Sequence, residues 1–88
     1  MKLIITIIPD QDNEPVSQAL IAKGFRVTRI ASTGGFFRRG SSTLMIGLSD
    51  EKVDEAIQII RSSVSPASEP SMPRATFFVL NVENFTQI

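Results

Sequence analysis

Phe25-Arg26-Val27-Thr28-Arg29-Ile30 and Ser42-Thr43-Leu44-Met45-Ile46-Gly47-Leu48 read as two strands joined by a turn-rich loop, and their place in the chain decides the architecture. On the first strand Phe25 and Val27 share one face, while Arg26, Thr28 and Ile30 share the other. On the second, Leu44, Ile46 and Leu48 oppose Thr43, Met45 and Gly47. The stretch between them, Ala31 to Ser41, holds Gly34-Gly35, Phe36-Phe37, Arg38-Arg39 and Gly40. Such a composition turns instead of extending.

Working outward, each strand is flanked by a helical pattern. Upstream, Asp10-Gln11-Asp12-Asn13 is turn chemistry, and Asp12 or Asn13 can cap a helix with Pro15 in its first turn. Val16, Ala19, Leu20 and Lys23 follow helical spacing, and Gly24 is a natural stop. Lys2 to Ile8 precedes this helix as a continuous apolar run, the pattern of a strand buried on both faces. Downstream, Ser49 can cap a helix over Asp50 to Ser62, whose apolar stripe is Val53, Ala56, Ile57 and Ile60. A Ser/Pro-rich loop follows, then a strand from Ala75 to Val82 and a tail carrying Phe85 and Ile88. The order β-α-β-β-α-β is the ferredoxin-like α+β arrangement with a four-stranded antiparallel sheet. The chain reads as a single domain over residues 1–88, with flexible loops at about 32–41 and 63–74.

Two helices cover only one face of such a sheet. The other face is expected to carry Ile4, Thr6, Ile8, Thr28, Ile30, Met45, Phe78, Leu80 and Val82, or their neighbours in the alternative register. An apolar sheet face of this kind is an association surface, and covering it gains roughly 25 cal/mol per Å². A homo-oligomer is therefore expected; the alternative is that loops and tail fold back over this face.

Composition narrows the chemistry. The 88 residues carry nine basic and nine acidic side chains, a balance that gives no support for a nucleic-acid polymer or acidic-membrane binder. Apolar residues make up 42% of the chain, which argues against disorder. No run approaches the roughly 20 apolar residues of a membrane span. The apolar start is followed at once by Pro9-Asp10-Gln11-Asp12, with no small-residue cleavage site. A cytoplasmic location is expected. Cys, His, Tyr and Trp are absent, which removes thiolate chemistry and the commonest general base and metal ligand. No catalytic residue, metal site or resident cofactor is assigned, and the expectation is a protein that is not an enzyme.

The residues with ligand chemistry concentrate between Phe25 and Gly47. Arg26 and Thr28 point the same way from one strand. Gly34-Gly35 lets a backbone approach a ligand and present its N–H groups. Phe36 offers a flat surface for a base, a contact of about 1–3 kcal/mol in comparable systems. Arg38 and Arg39 supply charge for phosphate, and Gly47 leaves the open face of its strand without a side chain. Each has a plainer reading: a tight turn, a solvated loop pair, a core anchor, a sheet-surface salt bridge. The glycines match neither GxGxxG nor the P-loop pattern.

At this segment the chain resembles a known family. Phe25-Arg26-Val27-Thr28 with Ser32-Thr33-Gly34-Gly35-Phe36-Phe37-Arg38 is similar to the signature of the PII-like cyclic di-AMP receptors. Ile7-Ile8-Pro9-Asp10-Gln11-Asp12 looks like that family's opening, and Ala75 to Leu80 with Phe85-Thr86-Gln87-Ile88 resembles its closing strand and tail. The resemblance implies a homotrimer with three nucleotide sites at subunit boundaries, signalling to a downstream protein through loop rearrangement. It implies that Arg26 and Thr28 contact base or phosphate and that Gly35, Phe36 and Phe37 form the loop wall. Gly47 would leave room for the base, and Phe78 and Gln87 would close the pocket. Two positions depart from the family pattern, which commonly has Asn in place of Gly24 and of Ser41. The Ser41 hydroxyl can still hydrogen-bond, and Gly24 offers backbone alone. The competing readings are an ATP-binding nitrogen-regulatory PII protein, a PII-like oligomeric adaptor without a small ligand, and an acylphosphatase-type hydrolase. The short loop between the middle strands and the absence of Tyr speak against the first of these, and the lack of a clear anion loop with a catalytic Asn against the last.

Overall fold

The computed structural model describes residues 1–32, 40–66 and 74–88. Among them run β1 (Lys2–Pro9), α1 (Asn13–Ala22), β2 (Arg26–Ser32), β3 (Ser41–Leu48), α2 (Val53–Ser63) and β4 (Thr76–Asn81), with one-turn 3-10 segments at Asp10–Asp12 and Asp50–Lys52. The strands form one sheet in the order β2-β3-β1-β4, and every neighbouring pair is antiparallel. This is the ferredoxin-like order. Of the two expected loops, residues 33–39 and 67–73 lie outside the described residues.

Parity along β1 is the main correction to the sequence reading. Ile4, Thr6 and Ile8 are buried beneath the helices, and Leu3, Ile5 and Ile7 take the open face in their place. Cross-strand partners share a face, so the registers Leu3–Gly47, Ile5–Met45 and Ile5–Phe78 put those residues together on the open side. A run that is apolar at every position but Thr6 carries little parity signal of its own, and that one polar residue is on the buried side. Ile30 also departs from the simple alternation. It falls where the β2–β3 register shifts between Arg29 and Ala31, and it is half exposed without a cross-strand partner.

The core lies between the sheet and the two helices. Ile4 and Ile8 of β1 and Leu44, Ile46 and Leu48 of β3 meet Val16 and Leu20 of α1 and Ala56 and Ile60 of α2, with Val64 closing one end. Val53 and Ile57 pack against this cluster, so the α2 stripe falls where its spacing places it.

The helix ends follow local chemistry with two exceptions. Gly24 has φ +88°. The Phe25 N–H bonds the Leu20 carbonyl at 3.0 Å and the Gly24 N–H bonds that of Ile21 at 2.9 Å. That pair of bonds is the Schellman ending. At the start of α1, Asp12 holds the capping position but makes no side-chain cap hydrogen bond. Ser49 likewise does not cap through its hydroxyl; its carbonyl accepts from the Lys52 N–H, opening a 3-10 turn ahead of α2.

Candidate functional site

Alternation along β2 and β3 presents the candidate side chains. Arg26 and Thr28 are exposed on the open face, away from the helices, while Val27 between them packs against the core. Arg26 pairs in register with Gly47 and Thr28 with Met45. Continuing across the sheet, Gly47 pairs with Leu3 and Leu3 with Leu80; Met45 pairs with Ile5 and Ile5 with Phe78. The open face is thus two parallel rows, each ending in a polar residue on β2 and a large apolar residue on β4. Phe78, Leu80 and Ile7 are all substantially exposed.

Arg26 is not a partner in any ion pair among the described residues. The plain reading of a sheet-surface salt bridge therefore finds no partner among the described residues. The guanidinium stands at the edge of an apolar surface, with five donors to offer.

Gly47 lies beside Arg26, and the room its missing side chain leaves is used. A Cβ at this position would come within 2.9 Å of the Met1 Cε, so the Met1 side chain lies against the Gly47 backbone. Its flexible thioether end is the kind of group that yields to a planar ligand. No sequence signal pointed to Met1.

The other expected residues are spread apart. Adjacent strands lie about 4.8 Å apart, so Phe78, three strands away from Thr28, is roughly 14 Å from it. Ser41 begins β3 opposite Pro9, six residues from Gly47, or about 20 Å along a strand. Gln87 is exposed in the tail beyond β4. Gly35, Phe36 and Phe37 lie outside the described residues. The chain thus brings Arg26, Thr28 and Gly47 together, leaves Ser41 and Phe78 on other margins of the face, and carries Gln87 in the tail beyond β4.

Near Ser41 the sheet is tied to the turn after β1. The Asp10 N–H bonds the Gly40 carbonyl at 3.0 Å, and the Ser42 hydroxyl donates to Asp10 Oδ1 at 2.5 Å. No group of three or more carboxylates among the described residues is placed to hold a metal ion.

An antiparallel β2-β3-β1-β4 sheet with two helices on one side defines the class as α+β, PII-like. Within that class, the model of the cyclic-di-AMP receptor family matches residues 1–70, and the chain belongs to this family. The crystal structure of a functionally unknown protein from Pediococcus pentosaceus ATCC 25745 is similar over 99% of this chain and 96% of that one, at 34% sequence identity and a TM-score of 0.79.

Proposed function

We propose that this protein is a PII-like signal transduction protein that binds cyclic di-AMP, or a closely related nucleotide, between subunits of a homotrimer. It acts without catalysis, by changing its surface toward a downstream cytoplasmic protein. The observation that carries this reading is Arg26: an exposed cation with no ion pair among the described residues, beside Gly47, on an open sheet face of a cyclic-di-AMP receptor family member.

The spread of candidate residues supports an intersubunit site. Arg26 and Thr28 lie on the β2 edge and Phe78 on the β4 edge. A ligand touching both sets is most simply held where the β2 edge of one subunit meets the β4 edge and tail of the next. Leu3, Ile5, Ile7, Met45, Phe78 and Leu80 supply the apolar surface for that assembly. The ligand displaces the Met1 side chain from Gly47 as it enters.

Isothermal titration of the purified protein with cyclic di-AMP, ATP and cyclic di-GMP tests this reading, alongside light scattering for the oligomer mass. Saturable heat with cyclic di-AMP and a trimer mass are expected. No heat from any nucleotide at millimolar concentration would overturn the receptor reading, and a monomer mass would remove the intersubunit site.

A further inference from the structure

The 3-10 turn Asp10–Asp12 makes tertiary contacts in two directions. Toward β3, Asp10 holds the Gly40 carbonyl with its N–H and the Ser42 hydroxyl with its carboxylate. These bonds flank Ser41. Toward the end of α2, Asp12 Oδ1 accepts from the Ser65 hydroxyl at 2.6 Å, two residues beyond the last helical residue, Ser63. Ser65 adjoins Val64, which is buried and whose N–H bonds the Ile60 carbonyl at 3.1 Å.

Asp12 is unusual in what it does not do. An Asp in the capping position ordinarily accepts from the first helical N–H groups, and here that bond is absent. The side chain is instead buried, with the residue 2% exposed, and its Oδ2 is without a hydrogen-bond partner among the described residues. Burying a carboxylate with one oxygen unsatisfied costs stability. The return is a cross-link between two segments 53 positions apart in sequence.

We propose that Asp10 and Asp12 are positioning residues that couple the start of β3 to the segment leaving α2. A ligand that grips the Ser41 end of β3 shifts Gly40 and Ser42, and the three-residue turn passes that shift to Ser65. The proposal rests on the receptor reading above for its ligand, and on the hydrogen bonds alone for its coupling. Carboxylate–hydroxyl bonds of this length are charge-assisted and directional, and a single 3-10 turn has little length over which to absorb a displacement.

Amide hydrogen exchange on the full chain tests it in two arms. Without ligand, Ser42→Ala is expected to raise exchange at Val64 and Ser65 about fivefold, and Ser65→Ala to do the same at Asp10 and Ser42, a modest coupling on the usual scale. Ser65→Thr, which keeps the hydroxyl, restores the wild-type rates. Changes confined to the mutated side, or a uniform rise that includes the Ile60 amide of α2, overturn the coupling. In the second arm, cyclic di-AMP is expected to slow exchange on both sides in the wild type and only at Asp10 and Ser42 in Ser65→Ala. Binding without any effect at Val64 and Ser65 overturns the coupling and leaves the receptor reading standing. If the wild type does not bind cyclic di-AMP, the receptor reading falls and the ligand-free arm alone decides the coupling.

Discussion

Thr6 is fully buried on the helix side of β1, paired across the sheet with Leu44 and Phe77, and its hydroxyl has no hydrogen-bond partner among the described residues. Valine has the same shape without the polar atom. Thr6→Val is expected to stabilise the fold by about 1 kcal/mol, read as a rise of roughly 4–8 °C in the thermal midpoint. Arg26 makes the opposite kind of prediction. Its side chain has no ion pair among the described residues, so Arg26→Ala leaves the thermal midpoint and the assembly unchanged while weakening cyclic di-AMP binding by about tenfold or more, the worth of a charge-assisted bond. Titration and scattering on the same sample separate the two effects. Gly24 completes the residue scale. Its φ of +88° is a conformation that Asn tolerates better than other side chains, and a Cβ there meets nothing within 4 Å. Gly24→Val is expected to cost about 1–2 kcal/mol, and Gly24→Asn less than half of that. If the Asn found at this position in the resembling family reads an adenine edge, Gly24→Asn also tightens cyclic di-AMP binding.

At the level of elements, α2 is the most straightforward. Its stripe turns Ala56 and Ile60 into the core, and Ile60 is completely buried. Ile60→Ala is expected to cost about 2–5 kcal/mol, measured by urea denaturation. This helix, its apolar stripe and the Gly24 stop of α1 were legible because each depends on residues within one or two turns of one another. The open-face positions of Arg26, Thr28 and Gly47 were legible for a similar reason, since β2 and β3 alternate. β1 was legible as a strand but not in parity, because Leu3 to Ile8 is apolar at all positions but Thr6. What escaped the sequence is contact across distance. Spacing along the chain says nothing of Phe78 lying three strands from Thr28, of Met1 resting on Gly47, or of Asp12 reaching Ser65 instead of capping its own helix. The Asp10-Gln11-Asp12 run was visible as a family-like opening, yet nothing in it announced its partners.

For the molecule as a whole, the open face sets the expected assembly. Ile5 is central in it, paired with Met45 on one side and Phe78 on the other. A carboxylate there would be buried without a partner in any assembly that covers this face. Ile5→Glu is therefore expected to give a folded monomer, seen as native-like circular dichroism with a reduced mass in sedimentation equilibrium. Retention of the wild-type mass would locate the subunit contacts elsewhere.

The central place of β1 also constrains how the chain is made. Lys2 to Ile7 find one set of partners in β3 and the other in Thr76 to Asn81. During synthesis β1 leaves the ribosome well before β4, and half of its backbone hydrogen-bonding capacity waits for that later strand. Until β4 emerges, a hydrophobic edge stands open to any passing strand. A chain ending ahead of Thr76 would leave that edge permanently bare, and such a product is a natural client for chaperones and proteases.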